Sequence, residues 1–123
     1  MKIGEVAASS GVSIDTVRFY ERRGVLPTPE RTASGYRIYP EATVDRLVLT
    51  RRLQSLGFTL DEVIDALHAH DEGGATCASE RWRLDAVLAR IDSQIQDLQD
   101  LRRAVRKVEA GCDRGDCALR LTT

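Results

Sequence analysis

The stretch IGEVAASSGVSIDTVRFYERRG, from Ile3 to Gly24, carries the decision about the fold. Ile3, Val6 and Ala7 share one face of a short helix running to about Ser9, and Gly11 ends it. Ser13 is a good N-cap for a second helix reaching about Arg23, with Gly24 as its stop. Two short helices joined at Gly11-Val12 predict a helix-turn-helix. Such a unit places its second helix in the major groove of DNA. That helix carries Ser13, Asp15, Thr16, Arg18, Tyr20, Arg22 and Arg23. Arg18 and Tyr20 can hydrogen-bond phosphates or base edges, and the arginines add sequence-independent attraction.

Downstream, Pro27 and Pro29 break regularity. Ser34-Gly35 reads as a turn between short extended pieces, and Tyr36-Arg37-Ile38-Tyr39 alternates as a strand does. The result is a small β-wing offering Arg31, Tyr36, Arg37 and Tyr39 to a phosphate backbone, while Phe19, and Tyr39 as the alternative to a phosphate contact, are candidates for the core. A third helix is expected from about Glu41 to Leu56, closed by Gly57. Thr59-Leu60-Asp61-Glu62 is a capping box that opens a fourth helix to about His70. Gly73-Gly74 is a joint.

From Ser79 to Ala110 the pattern changes. Leu84, Leu88, Ile91, Ile95, Leu98 and Val105 step by 4, 3, 4, 3 and then 7 residues, a heptad seam interrupted at Arg102. A lone helix of this length leaves its apolar stripe wet, so a partner helix is expected. Gly111 is read as its stop. The fold class is therefore mainly α. A winged helix-turn-helix domain with hinge helices (1–70) precedes a joint carrying Cys77 (71–78), a dimerisation helix (79–110), and a terminal loop and tail (111–123).

Three cysteines flank that helix: Cys77 ahead of it, Cys112 and Cys117 behind it. A helix rises about 1.5 Å per residue, so its ends lie roughly 45–50 Å apart. Cys77 cannot meet Cys112 within one straight-helical chain. A second copy running the other way brings Cys77 of one subunit beside Cys112 and Cys117 of the other. An antiparallel homodimer thus offers two equivalent three-thiolate sites.

The bulk numbers agree with this division of labour. Net charge is −1, but residues 1–53 hold 9 basic and 6 acidic groups, whereas 54–123 hold 9 basic and 13 acidic. A basic front and an acidic rear suit a nucleic-acid surface in the front half. No apolar run follows Met1 and none approaches membrane-spanning length, so a cytoplasmic protein without membrane attachment is expected. In reducing cytosol, three cysteines read as metal ligands or redox groups. No P-loop, catalytic carboxylate pair or Ser/His/Asp arrangement is present, so an enzyme is not expected.

Val17-Arg18-Phe19-Tyr20-Glu21-Arg22-Arg23-Gly24-Val25-Leu26, then Pro29, Arg31 and Gly35-Tyr36-Arg37-Ile38-Tyr39, resembles the signature of MerR-family transcription regulators. Gly57-Phe58-Thr59-Leu60-Asp61-Glu62-Val63 is similar to the family's next block. The resemblance implies an antiparallel coiled-coil dimer on promoter DNA whose spacer between the two RNA polymerase elements is too long. It also implies an effector that favours bent, untwisted DNA, so that polymerase engages both elements. By position it assigns Arg18, Tyr20, Tyr36 and Arg37 to DNA; Ser13, Thr16 and Arg31 join them from the residue pattern.

Thiolates select soft ions. Within the resemblance, copper- and gold-type sensors use only the two loop cysteines and carry Ser where this chain has Cys77. A third thiolate suits a divalent ion: mercury first, then cadmium or lead, then zinc, which usually takes a fourth ligand. Asp113, Asp116, His68 or His70 could add a donor. The four residues between Cys112 and Cys117 make a shorter loop than in the relatives compared. The competing expectation is a thiol redox switch on the same scaffold, with Cys112 and Cys117 closing a disulfide.

Overall fold

The computed structural model describes residues 1–116 and Leu119; Cys117 lies outside the described residues. Among the described residues, five helices and one two-stranded ribbon follow in chain order. Helix α1 (Ile3–Ser10) opens on Lys2, whose backbone N–H is taken by the Glu5 carboxylate at 3.3 Å. It ends on Gly11 at φ +74°. Helix α2 (Ile14–Arg23) is capped by Ser13, whose Oγ accepts the Thr16 N–H at 3.1 Å. Its last turn holds Arg22 and Arg23, favourably placed against the helix dipole.

Strands β1 (Glu30–Arg31) and β2 (Arg37–Ile38) pair antiparallel, with Glu30 opposite Ile38 and Arg31 opposite Arg37. The turn between them closes through Gly35 N–H to the Thr32 carbonyl at 2.9 Å. Beyond β2, Tyr39 and Met1 exchange two hydrogen bonds of 2.8 Å, tying the wing to the start of α1.

Helix α3 (Ala42–Ser55) buries Thr43, Leu47 and Thr50, spaced as one helical face. Helix α4 (Leu60–Asp71) opens on the Thr59–Glu62 capping box: Glu62 Oε1 accepts from Thr59 N–H at 2.8 Å, and Thr59 Oγ1 accepts from Glu62 N–H at 3.2 Å. The α1, α2, α3 and α4 helices enclose a core of Val6, Val17, Val25, Leu47 and Val63, all fully buried.

The chain divides into two compact units, Met1–Glu80 and a second starting at Arg81. Helix α5 (Cys77–Asp113) has 37 residues and is longer than expected at both ends. At its start Thr76 and Ser79 exchange side-chain-to-backbone hydrogen bonds of 2.9 and 3.0 Å, which places Cys77 inside the first turn. At its end Gly111 does not stop the helix; Gly111 and Cys112 are both helical, and the left-handed turn comes at Gly115, φ +81°. Along the seam Leu84, Leu88, Ile95, Leu98, Leu101 and Val105 are exposed in the single chain. No helix among the described residues is long and apolar enough to cross a membrane.

Candidate nucleic-acid interface and thiolate residues

The α2 helix and the wing share a cavity of about 560 Å³ lined by Arg18, Glu21, Arg22, Thr28, Arg31, Tyr36 and Arg37, among others. Four guanidiniums face one carboxylate there. Arg31 and Arg37 stand directly opposite each other across the ribbon, a like-charge pairing that is unfavourable in isolation. Glu21 relieves part of it: its Oε2 accepts from Arg37 Nη1 at 3.1 Å and from the Tyr39 hydroxyl at 2.8 Å. Burial, followed by the hydrogen bond to Glu21, raises the Tyr39 phenol above its ordinary pKa. Arg31 Nη1 also donates to the Gly35 carbonyl at 3.3 Å. A groove with this excess of positive charge suits a polyanion backbone.

The expected DNA-contact residues fall into three groups. Arg18, Arg31, Tyr36 and Arg37 come together around the groove. Ser13 and Thr16 sit at the N-terminal end of α2, joined hydroxyl to hydroxyl at 2.8 Å. Tyr20 is elsewhere: it is buried, and its hydroxyl donates to Gln54 Oε1 at 2.7 Å. Its neighbour Phe19, expected in the core, is 40 % exposed, with the Arg23 guanidinium 6.0 Å from its ring centre. Tyr20, expected on the DNA side, lies in the interior, and Phe19, expected inside, is partly exposed. Their sequence holds the signal: Val17 and Tyr20 are three apart on one helical face, and both are buried.

Sequence reasoning passed over Glu21 as a site residue. It lies three residues from Arg18, on the same side of α2, so helical spacing could have found it. Lys2 was also missed; its ammonium stands 5.8 Å from the centre of the exposed Tyr36 ring.

Cys77, in the first unit, and Cys112, in the second, are exposed thiols outside any disulfide among the described residues. His68 and His70 lie in the last turn of α4. Cys112 borders an apolar cavity of about 410 Å³ with Val105, Val108, Glu109, Asp113 and Leu119. Among the described residues, no three His, Cys, Asp or Glu side chains of one chain gather as a metal set. The donor chemistry nevertheless fits a soft ion: accessible sulfurs, with Asp113 and Asp116 as neighbouring oxygens.

Two family profiles match the chain: MerR HTH family regulatory protein over residues 1–70, and MerR, DNA binding, over residues 44–108. A mercuric resistance operon regulatory protein of Bacillus cereus is 43% identical over 105 residues, covering 85% of this chain and 77% of that protein. The transcription regulator PbrR691 of Ralstonia metallidurans CH34, solved with lead(II), superposes with a TM-score of 0.82 at 31% identity, covering 99% of this chain and 91% of that one. The regulator MerR of Bacillus megaterium MB1, solved with mercury(II), gives 0.70 at 34%, covering 89% and 85%. A winged helix-turn-helix with a cationic groove, a long helix with an apolar seam, and these relatives lead to one conclusion: the chain belongs to the MerR family of helix-turn-helix transcriptional regulators.

Proposed function

We propose that this regulator controls a metal-resistance promoter in response to a soft divalent ion held by Cys77 of one subunit and Cys112 and Cys117 of its partner. The observation that carries the reading is the placement of Cys77 and Cys112 at the two ends of α5, first and next-to-last residues of a helix with an exposed apolar seam. Antiparallel pairing of two such helices covers the seam and brings the sulfurs of different subunits together. The ion supplies a cross-link among thiolates. The likeness to proteins solved with lead(II) and mercury(II) supports a divalent ion, with mercury first, then cadmium or lead, then zinc.

On the DNA side, Arg18, Arg31, Tyr36 and Arg37 hold phosphates, and Ser13 and Thr16 meet the DNA at the start of α2. The dimer sits on a promoter with an over-long spacer. Its cross-linked form stabilises distorted DNA on which RNA polymerase engages both elements, by differential affinity for the deformed duplex. The basic groove between α2 and the wing supports this assignment.

The test is a promoter-reporter assay across mercury, cadmium, lead, zinc, copper and silver salts, run for the wild type and Cys77→Ser. Induction by a divalent ion that Cys77→Ser abolishes is the expected result. A Cys77→Ser protein with unchanged induction and metal stoichiometry refutes the shared site. Induction by oxidant without metal response selects the disulfide switch.

A further inference from the structure

We infer that Gly111 is a positioning residue of the thiolate centre: it is the seat on which Asp116, the residue before Cys117, rests, and only a residue without a Cβ leaves that seat open. The inference rests on the metal-site reading above and deepens it.

After Asp113 the chain reverses. Gly115 N–H donates to the Cys112 carbonyl at 3.0 Å, and Asp116 N–H donates to the Gly111 carbonyl at 2.7 Å. With Gly115 left-handed at φ +81°, these two bonds form a Schellman stop. In that motif the residue at the position of Gly111 usually has a side chain, which touches the side chain at the position of Asp116. Here the backbone takes that place. A Cβ built on Gly111 meets the Asp116 carbonyl oxygen at 2.7 Å and its carbon at 3.8 Å. The first distance is shorter than real Cβ contacts allow, and the obstructing atom is backbone, so no rotamer change relieves it. Gly111 is buried accordingly. The carbonyl seated on Gly111 belongs to the peptide that continues into Cys117. A methyl group at 111 must therefore displace the start of that peptide relative to Cys112, one residue away. The cradle lets the chain turn back over its own helix within the four residues that follow Cys112.

Glycine inside a helix is otherwise a defect. It costs about 1 kcal/mol relative to alanine. Gly111→Ala therefore separates folding from metal binding by sign, since it favours the helix while disturbing the loop.

The experiment titrates the reduced full-length protein with mercury(II) chloride against a competing thiol, following the thiolate-to-mercury charge-transfer absorption. Helicity, dimer mass and promoter-DNA affinity without metal are read on the same samples. For Gly111→Ala the expected result is mercury affinity reduced about 10–100-fold, with an altered charge-transfer band. Helicity is retained or raised, and DNA affinity is unchanged. A second variant adds one glycine after Gly115 in the Gly111→Ala background; the longer loop clears the methyl group and recovers affinity. Wild-type affinity and spectrum in Gly111→Ala overturn the inference. So does weakened binding that accompanies lost helicity and is not recovered by the longer loop. A wild-type protein without any charge-transfer band overturns the metal reading itself.

Discussion

Arg46 holds Asp71 through two parallel hydrogen bonds, Nη1 to Oδ1 at 2.7 Å and Nη2 to Oδ2 at 3.2 Å. The same guanidinium donates from Nε to the Val25 carbonyl at 3.0 Å, just past the end of α2. One side chain of α3 therefore ties the exit of the recognition helix to the last residue of α4. The hydrogen bonds from Arg46 hold the Asp71 carboxyl below its ordinary value of 3.8. A carboxyl depressed in the folded state contributes stability above its unfolded pKa, and that contribution is lost as pH falls through the folded value. Asp71→Asn is expected to lower stability at neutral pH and to make no difference once the pH is below the carboxylate range. Asp71 is half exposed, so solvent screening limits the loss to about 1 kcal/mol or less. Denaturant unfolding of both proteins at neutral and acidic pH measures this; a difference that persists unchanged into acid would contradict it.

Tyr20 and Arg18 lie two residues apart and are expected to fail in different assays. Tyr20→Phe removes the donor to Gln54 and leaves a part-buried amide oxygen unsatisfied. The expected cost is about 1 kcal/mol of stability, with promoter affinity unchanged. Arg18→Ala leaves stability close to wild type, because Arg18 is exposed and its 3.7 Å pairing with Asp15 is a surface one. It weakens DNA binding and lowers the slope of log affinity against log salt by about 1. Thermal unfolding and fluorescence anisotropy on a promoter duplex separate the two. A large affinity loss in Tyr20→Phe would return its hydroxyl to the DNA side.

The apolar seam sets the third expectation. Ile95 and Leu98 are 48% and 65% exposed in the single chain. Burial of each against a second helix contributes about 1.5–3 kcal/mol. Replacing both with Asp is expected to shift the protein to monomer at micromolar concentration while α1 to α4 stay folded. Analytical ultracentrifugation with circular dichroism reads both properties, and a dimer that survives the double substitution places the interface elsewhere.

The parts legible in the sequence were those written locally. Ser13, the Thr59–Glu62 pair, Gly11 and Gly24 each act within four residues, so the bounds of α2 and α4 could be drawn to within about one residue. The burial of Phe19 and Tyr20 was expected the other way about because adjacent helical residues point about 100° apart. Only the phase of the buried face decides between them. Gly111 was misread for a different reason. A glycine signals a stop when its φ is positive, whereas here it stays helical to accommodate a strand of backbone folding over it. Helical spacing could place Glu21 on the Arg18 side of α2 but not name its partners, because Arg37 and Tyr39 are 16 and 18 residues away and are brought near by the wing.

Between α4 and α5 the chain passes through Gly73 and Gly74 at φ +84° and +78°, two successive residues in the left-handed region. Gly73 N–H donates to the His70 carbonyl at 3.1 Å as the chain leaves α4. Side chains are poorly tolerated there, because both glycines hold left-handed conformations. On its α4 side the joint is held by the grip of Arg46 on Asp71, two residues before the first glycine. Two glycines in a row therefore separate α4, which Arg46 anchors to α3, from the helix that begins at Cys77.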